Sequence, residues 1–203
     1  MRYLALDTSS GIKVLLTVDG KNYDYVADDG KMASATLLPT IDRLLTKAGV
    51  TIEMLDAIAV VIGPGSFTGI RIAVNTARAL SYVTRVPLIG IDALTVGAYG
   101  VKEDCHSVIY GWGKNFYVAE YEGRKMVKEA CIMQKEDVLA LAGTVVCDRK
   151  SKRFIANGTE CNQVTAIRKI VRQRLKKGEM SAFEDVIPYY IAVSQAEKDL
   201  ENK

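Results

Sequence analysis

The sequence predicts an α/β protein made of two halves with the same order of elements, and two observations lead to this prediction. Three strands joined by tight turns open residues 1–27, and a second three-stranded meander opens at residue 108. In each half a helix, another strand and a further helix follow the meander. The shared order is therefore β-β-β-α-β-α, although no residue-level repeat accompanies it.

In the first half, turns rich in glycine and aspartate separate the short apolar runs that predict strands. Apolar residues at helical spacing begin at Leu37 and stop before Gly49. Pro39 lies within this helix, which therefore either starts near Leu38 or bends there. A second helix extends to about residue 83. The predicted strands cover residues 3–6, 12–18, 22–27, 57–62 and 87–91.

The second half predicts strands at residues 108–112, 116–121, 125–131, 144–147 and 154–156, with helices at 135–141 and about 160–175. Two such halves in one chain are the arrangement of actin-like and sugar-kinase-like proteins (ASKHA, ribonuclease H-like). We therefore expect an N-terminal domain over residues 1–98 and a smaller C-terminal domain over residues 99–203. We expect residues 192–202 to form a last helix that packs back on the first domain.

Composition excludes several classes of function. The 203 residues are 49% hydrophobic, enough for a substantial core, and the net charge of +3 implies no general affinity for nucleic acids. The four cysteines stand 14 or more residues apart, so the sequence has no CxxC pair for a zinc site. No apolar run approaches the roughly 20 residues of a membrane span. His106 is the single histidine, which argues against a Ser-His-Asp protease and a histidine-based metal site. We expect a cytoplasmic protein that holds no metal and contacts no membrane.

A glycine loop joins an apolar strand to the second helix and is formed by Gly63, Pro64, Gly65, Ser66 and Gly69. Ser66 is placed as the helix N-cap, where free N–H groups favour anions. The Walker spacing is not met, because Ile70 follows Gly69 where that motif needs lysine. The dinucleotide fingerprint is not met either, because the third glycine comes one residue late.

A strip of small side chains follows the loop along the second helix. Gly69, Ala73, Ala77 and Ser81 recur every four residues and therefore share one helix face. Two interpretations stay open: this face packs inside the same fold, or it allows a helix of another protein to approach closely.

The first strand ends in a turn formed by Asp7, Thr8 and Ser9. A carboxylate at a strand tip with hydroxyls behind it can hold a metal-bound phosphate, and the same residues form ordinary hydrogen-bonded turns. This Asp7 turn is therefore a candidate vestigial nucleotide site. If phosphate binds to this chain, we expect it at the Asp7 turn and not at the glycine loop.

A basic helix is predicted near the end of the chain. Its run of cations is either a solvated face or a local edge that contacts RNA. The six basic residues are Arg168, Lys169, Arg172, Arg174, Lys176 and Lys177.

The chain resembles the TsaB (YeaZ) family, which takes part in the synthesis of threonylcarbamoyladenosine in tRNA. The resemblance is carried by residues 4–9, by Leu37-Leu38-Pro39 and above all by the glycine loop through Arg71. It is strongest over about residues 1–95. The chain departs from the family pattern at residues 33–36 and at residues 110–114, where it reads Tyr-Gly-Trp-Gly-Lys.

The resemblance implies a protein that is not itself catalytic. Members of the family bind a paralogue, TsaD, which carries the metal and nucleotide and transfers the threonylcarbamoyl group to an adenosine beside the anticodon. The implied partners are TsaD in a heterodimer, TsaE at the joint surface, a second copy when TsaD is absent, and tRNA, either indirectly or through the basic helix. No cofactor is implied, except ATP at a site shared with the partners.

The resemblance also implies that helices at about residues 34–48 and 67–83 pack against the same pair of helices in the partner. Small residues would allow close approach and apolar residues would anchor the contact. The expected interface residues are Leu37, Leu38, Ile41, Leu45, Gly69, Ile70, Ala73, Ala77 and Ser81.

The alternative function is an ATP-binding actin-like ATPase or phosphotransferase. Asp7 would hold the metal and the neighbouring turn would hold the phosphates, but no catalytic base can be named in the second half.

Overall fold

The computed structural model describes residues 1–27 and 32–191. The strands are β1 (Arg2–Asp7), β2 (Ile12–Val18), β3 (Lys21–Ala27), β4 (Ala57–Gly63), β5 (Leu88–Asp92), β6 (Cys105–Tyr110), β7 (Asn115–Glu122), β8 (Lys125–Gln134), β9 (Thr144–Cys147) and β10 (Thr159–Glu160). The helices are α1 (Ala33–Ala48), α2 (Phe67–Thr84), α3 (Ala93–Ala98), α4 (Lys135–Leu139), α5 (Arg149–Lys152) and α6 (Gln163–Lys177). Short 3₁₀ turns lie at Ile52–Met54 and Phe183–Asp185.

The two halves form two five-stranded sheets with the same strand order. The first sheet runs β3-β2-β1-β4-β5 and the second runs β8-β7-β6-β9-β10. In each sheet the first three strands are antiparallel and the last two are added in parallel. The sheet order is therefore duplicated, which confirms the predicted actin-like α/β fold class.

Alternating side chains of the first sheet build two separate cores. Leu4 and Leu6 of β1 pack in the core that includes α1 and α2, whereas Tyr3 and Ala5 face the opposite side. That opposite core continues through α3 and α6 into residues of the second sheet, such as Tyr121. The two halves thus share one core, with α3 and α6 contributing to it. The expected domain boundary after residue 98 stays a prediction.

The structure changes the predicted elements in several places, among them the strand β10, which precedes α6 and was not predicted. Residues 154–156 form no strand; a short helix, α5, precedes them, because the carboxylate of Asp148 accepts the N–H of Ser151 at 2.9 Å and caps that turn. The helix α1 begins at Ala33 and contains Pro39. The helix α3 has only six residues, too few for a periodic pattern, and the cap Asp92 is the sequence signal that could have found it.

The segment before the predicted last helix packs on the first half. Ser181 pairs with Leu88 at the edge of β5, and the N–H of Tyr189 donates to the carbonyl of Ile62 at 2.8 Å. We call residues 181–191 the C-terminal strap. The last helix predicted over residues 192–202 lies outside the described residues.

Candidate functional site

The glycine loop leads from β4 into α2, as the sequence predicts. The hydroxyl of Ser66 accepts a hydrogen bond from the N–H of Gly69 at 3.3 Å, which confirms Ser66 as the N-cap. The N–H of Ser66 donates to the carbonyl of Ser9 at 2.8 Å. Two N–H groups of the loop are therefore used within the chain.

The glycines of the loop allow close contact with neighbouring backbone. A Cβ at Gly69 would lie 2.0 Å from the carbonyl oxygen of Thr8, and one at Gly65 would lie 2.7 Å from that of Ser9. At Gly63, with φ +119°, the carbonyl oxygen of Tyr189 would be 2.6 Å away. The loop is packed between the Asp7 turn and the C-terminal strap. This packing accounts for the glycines of the loop.

The Asp7 turn holds a buried ion pair. Asp7 is only 1% exposed, and its carboxylate accepts from the N–H of Ser9 at 2.8 Å and from the hydroxyl of Ser9 at 2.6 Å. The ammonium of Lys13, which is also buried, donates to the same carboxylate at 3.0 Å and to the carbonyl of Ser10 at 3.0 Å. The hydroxyl of Thr8 donates to the carbonyl of Gly69 at 2.5 Å. The turn is thus tied to the glycine loop.

The ion pair limits what the Asp7 turn can do. Lys13 engages one oxygen of the Asp7 carboxylate and Ser9 engages the other, and the positive charge of Lys13 opposes a second cation nearby. Within residues 1–27 and 32–191, no group of three or more His, Cys, Asp or Glu residues could hold a metal ion. Of the two interpretations of these residues, a site for a metal-bound phosphate and an ordinary hydrogen-bonded turn, this geometry favours the hydrogen-bonded turn.

The expected interface residues lie mostly inside the chain's own fold. Eight of the nine are buried against the first sheet or between the helices, and for these side chains the structure supports packing within the fold. They are Leu37, Ile41, Leu45, Gly69, Ile70, Ala73, Ala77 and Ser81. Leu38 is the exception, because 54% of it is exposed. Contact of these helices with a partner stays a prediction.

The outer side of α1 and α2 carries exposed apolar side chains, of which the sequence analysis identified only Leu38. Tyr82 and Val83, in the last turn of α2, are 64% and 77% exposed, and Ala79 one turn earlier is exposed as well. Leu38 of α1 is exposed as well, and we call these four exposed residues of the two helices the outer helix face. The sequence contains a signal for the three residues of α2, because Ala79, Tyr82 and Val83 fall on the side of α2 opposite Ala77.

The basic helix is α6, and part of its charge is used inside the molecule. The guanidinium of Arg168 pairs with Asp24 of β3, and that of Arg174 donates to the carbonyl of Gly90 at 2.8 Å. These two arginines tie α6 to the first half. The exposed cations are Lys169, Arg172, Lys176 and Lys177. Contact of this helix with tRNA stays a prediction.

A cleft between the two halves contains a cavity of about 300 Å³ that the sequence analysis did not anticipate. Its wall includes Lys13 from the first half and Arg149, Lys150 and Arg153 from the segment around α5. Among the residues that the structure describes, Glu160 is the one acidic residue of the wall. The signal in the sequence was the run Arg-Lys-Ser-Lys-Arg at residues 149–153. We call this feature the basic cleft.

Three buried thiols are not activated as nucleophiles. Burial raises the pKa of Cys105 and Cys147 to about 11 and that of Cys161 to about 12, so these thiols are protonated at neutral pH. His106 lies in β6, half-buried, opposite Glu120. Burial also raises the pKa of Asp92, which caps α3, to about 6.

None of the helices in the described part of the chain is long and apolar enough to span a membrane.

Comparison with protein families and curated proteins gives a consistent result. Residues 30–179 match the family described as TsaD: tRNA N6-adenosine threonylcarbamoyltransferase. The TsaB protein of tRNA threonylcarbamoyladenosine biosynthesis from Escherichia coli K12 is 34% identical over 101 residues, which are 49% of this chain and 44% of that protein. The tRNA N6-adenosine threonylcarbamoyltransferase of Protochlamydia amoebophila is 41% identical over 63 residues, 31% of this chain and 18% of the transferase.

Comparison with solved structures extends the likeness to nearly the whole chain. The structure of YeaZ from Pseudomonas aeruginosa superposes with a TM-score of 0.74 at 21% identity. The match covers 93% of this chain and 99% of that one. At this level of identity the likeness shows the fold, and it agrees with the duplicated sheet order.

Proposed function

This chain belongs to the family of TsaD, tRNA N6-adenosine threonylcarbamoyltransferase, in which it groups with the TsaB (YeaZ) proteins, and from this premise we propose that it is a non-catalytic subunit of threonylcarbamoyl transfer. Its role is to bind TsaD so that TsaD modifies the adenosine next to the anticodon of tRNA. The chain acts in the cytoplasm, binds TsaE through the joint surface, and pairs with a second copy when TsaD is absent. Any ATP is held jointly with these partners.

The outer helix face is the single observation that carries this proposal. Leu38, Ala79, Tyr82 and Val83 are exposed apolar residues on the two helices that cover one side of the first sheet. Apolar and aromatic anchors of this kind dominate the free energy of association at protein interfaces. The buried strip supports the same face indirectly: Gly69, Ala73 and Ala77 hold α2 against the sheet and so fix its outward side.

The Asp7 turn supports the absence of catalysis. The Asp7 carboxylate is engaged by Ser9 and Lys13, and the glycine loop is occupied by backbone of the Asp7 turn and of the C-terminal strap. Phosphoryl transfer would need both to be available to a metal-bound nucleotide. The ATPase alternative predicts clear micromolar binding of Mg-ATP to the isolated chain by calorimetry, whereas we expect no heat of binding.

Co-expression with TsaD, followed by size-exclusion chromatography with mass determination, tests the proposal. We expect a heterodimer for the natural chain. The Val83→Glu variant places a carboxylate on the outer helix face, where its desolvation opposes association, and we expect it to lose TsaD. Val83 is a suitable site because it is more exposed than Leu38 or Tyr82, so the monomer should keep its thermal stability. Substitution of Ala77, which is fully buried, would unfold the chain instead.

Val127→Glu is the matched control, because Val127 is an exposed apolar residue on β8, in the other half of the chain. We expect this variant to co-purify with TsaD as the natural chain does. A complex that survives Val83→Glu, or one lost equally with Val127→Glu, contradicts the proposed use of the outer helix face.

A further inference from the structure

One guanidinium of α2 is held in a fixed position at the edge of the outer helix face. Arg71 follows Phe67 by one helical turn, and its Cζ lies 3.9 Å from the centre of the Phe67 ring. The Phe67 ring stacks on that of Tyr190 in the C-terminal strap, with centroids 4.7 Å apart. The Nε–H of Arg71 donates to the hydroxyl of Tyr190 at 2.9 Å. The ring contact and the hydrogen bond together fix the plane of the guanidinium.

The two terminal nitrogens of this guanidinium are not used by the described part of the fold. The bond from Nε is the one hydrogen bond that the Arg71 side chain forms within residues 1–27 and 32–191. None of the ion pairs within these ranges includes Arg71. Arg71, Phe67 and Tyr190 are all exposed. The terminal nitrogens therefore present to solvent the planar fork of N–H groups that fits a carboxylate with two parallel hydrogen bonds.

The surroundings of Arg71 favour a protein ligand over a nucleic acid. Arg71 and Tyr82 are about three turns of α2 apart, so they lie on the same side of the helix. The next arginine of the helix, Arg78, already donates to the carbonyls of Phe183 and Val186. One fixed cation beside exposed apolar residues suits a carboxylate on an apolar protein surface, whereas an RNA strand is held by several cations.

We propose that Arg71 binds a carboxylate side chain of TsaD through its two terminal nitrogens and so anchors one edge of the outer helix face. An arginine that aromatic rings already hold loses little conformational freedom on binding, which strengthens the contact. It also disfavours partners that lack a carboxylate at this place. Tyr190 is a positioning residue, because it acts through the Nε of Arg71. This inference deepens the proposed function, on which it rests for the identity of the partner.

Calorimetric titration of TsaD with the full chain tests the inference. Arg71→Lys keeps the charge but lacks the planar fork, and it should weaken binding about tenfold. Tyr190→Phe keeps the ring and removes only the hydroxyl that orients the guanidinium, so we expect about a threefold loss. Tyr190→Phe should have no effect when added to Arg71→Met, because the hydroxyl then has no guanidinium to orient.

Arg124→Lys is the matched control, because Arg124 also lies over an aromatic ring but belongs to the second half of the chain. Its Cζ is 4.7 Å from the centre of the Tyr99 ring. We expect less than about a twofold change in TsaD binding. Unchanged binding by Arg71→Lys, or an equal loss with Arg124→Lys, would overturn the inference. Losses from Tyr190→Phe and Arg71→Met that simply add would overturn it as well.

A second background tests the carboxylates of the chain that lie outside the described residues, since these are alternative partners of Arg71. In this neutral background each of the five is replaced by its amide in the full chain, and Arg71→Lys should weaken TsaD binding as much as it does in the natural chain. An Arg71 effect that disappears there would assign the ion pair to the chain itself and overturn the inference. The five residues are Asp28, Asp29, Glu197, Asp199 and Glu201.

Two further outcomes separate this inference from its alternatives. Binding of a labelled single-stranded RNA that is lost with Arg71→Lys would assign Arg71 to nucleic acid and overturn the inference. A TsaD complex that Val83→Glu abolishes and Arg71→Lys leaves intact would refute only the role of Arg71. A complex that survives Val83→Glu and is weakened by Arg71→Lys would refute only the proposed use of the outer helix face. A natural chain that forms no complex with TsaD would refute both.

Discussion

The turn between the first two strands occupies the same place in both halves of the molecule, yet the two turns have opposite character. In the first half, the β1–β2 turn buries the ion pair of Asp7 and Lys13. In the second half, the β6–β7 turn exposes Trp112 and Lys114, and the nearest ion pair, Lys114 with Glu136, lies in solvent. A shared strand order therefore does not imply a shared site. The first turn buries its charges in the fold, whereas the second leaves its charges in solvent.

The helix caps at equivalent places in the two halves also differ in burial and in charge. Asp92 caps α3 after β5, and Asn162 caps α6 after β10, at equivalent places in the two sheets. Asp92 is a carboxylate whose pKa is raised to about 6 by burial. Asn162 is an exposed amide. At these two pairs of positions the ionisable groups of the first half are in its interior, and variants of these groups should affect stability far more than variants of their counterparts.

The largest effect is expected for Lys13→Met. It leaves the buried carboxylate of Asp7 without its counter-charge, which should lower the free energy of unfolding by about 3 to 5 kcal/mol in urea denaturation. Asp7→Asn added to this variant should restore much of the loss, because the amide oxygen still accepts from Ser9. Lys114→Met, the counterpart in the second half, should leave the unfolding curve unchanged. Equal losses for Lys13→Met and Lys114→Met would contradict the contrast between the turns.

A slightly smaller effect is expected for Gly69→Ala. The added Cβ would lie 2.0 Å from the carbonyl oxygen of Thr8, a backbone atom that cannot move aside without shifting β1. We expect a loss of about 3 kcal/mol in urea denaturation. Gly158→Ala provides a comparison in the second half, because its Cβ would meet the thiol of Cys147 at 2.9 Å, a side-chain atom with more freedom. A tolerated Gly69→Ala would show that the glycine loop is not held by this contact.

The smallest effect depends on pH and concerns Asp92. Because burial raises the pKa of Asp92 from about 3.8 to about 6, the protonated form is favoured in the folded state. Its contribution to stability is complete below pH 3.8 and is lost as the pH rises through 6, by about 2 to 3 kcal/mol.

Denaturation between pH 4 and pH 7 measures this loss. Asp92→Asn should reduce the fall in stability across this range, while Asn162→Asp, the matched change in the second half, should add no comparable fall because Asn162 is exposed. An unchanged pH profile for Asp92→Asn would assign the pH dependence to other groups.

Much of the fold could be predicted from the sequence because its signals are local. Alternating apolar runs and tight turns predict the six meander strands, and the Ser66 hydroxyl before a run of helix formers predicts the start of α2. The short elements escaped prediction for the same reason. The helix α3 and the strand β10 are too short to show a period, and their existence depends on the neighbours against which they pack.

The candidate sites were predicted less well because a site depends on which residues meet. The sequence identifies Asp7 at a strand tip but does not show that Lys13, six residues later, returns to neutralise it. It identifies the small strip of α2 but not whether that strip faces a sheet or a partner. The basic cleft combines Lys13 with Arg149 and Arg153, more than 130 residues away in the chain.

The amino-acid sequence by itself determined the duplicated α/β order and the family of this protein, because strand periodicity, turn residues and the glycine loop are properties of short segments. The tertiary structure alone decided which side of each helix is buried, that the Asp7 carboxylate is closed by Lys13, and that the cations of residues 149–153 line a cleft. The physical reason is that burial and electrostatic pairing are set by contacts between distant parts of the chain, which spacing along the sequence does not encode.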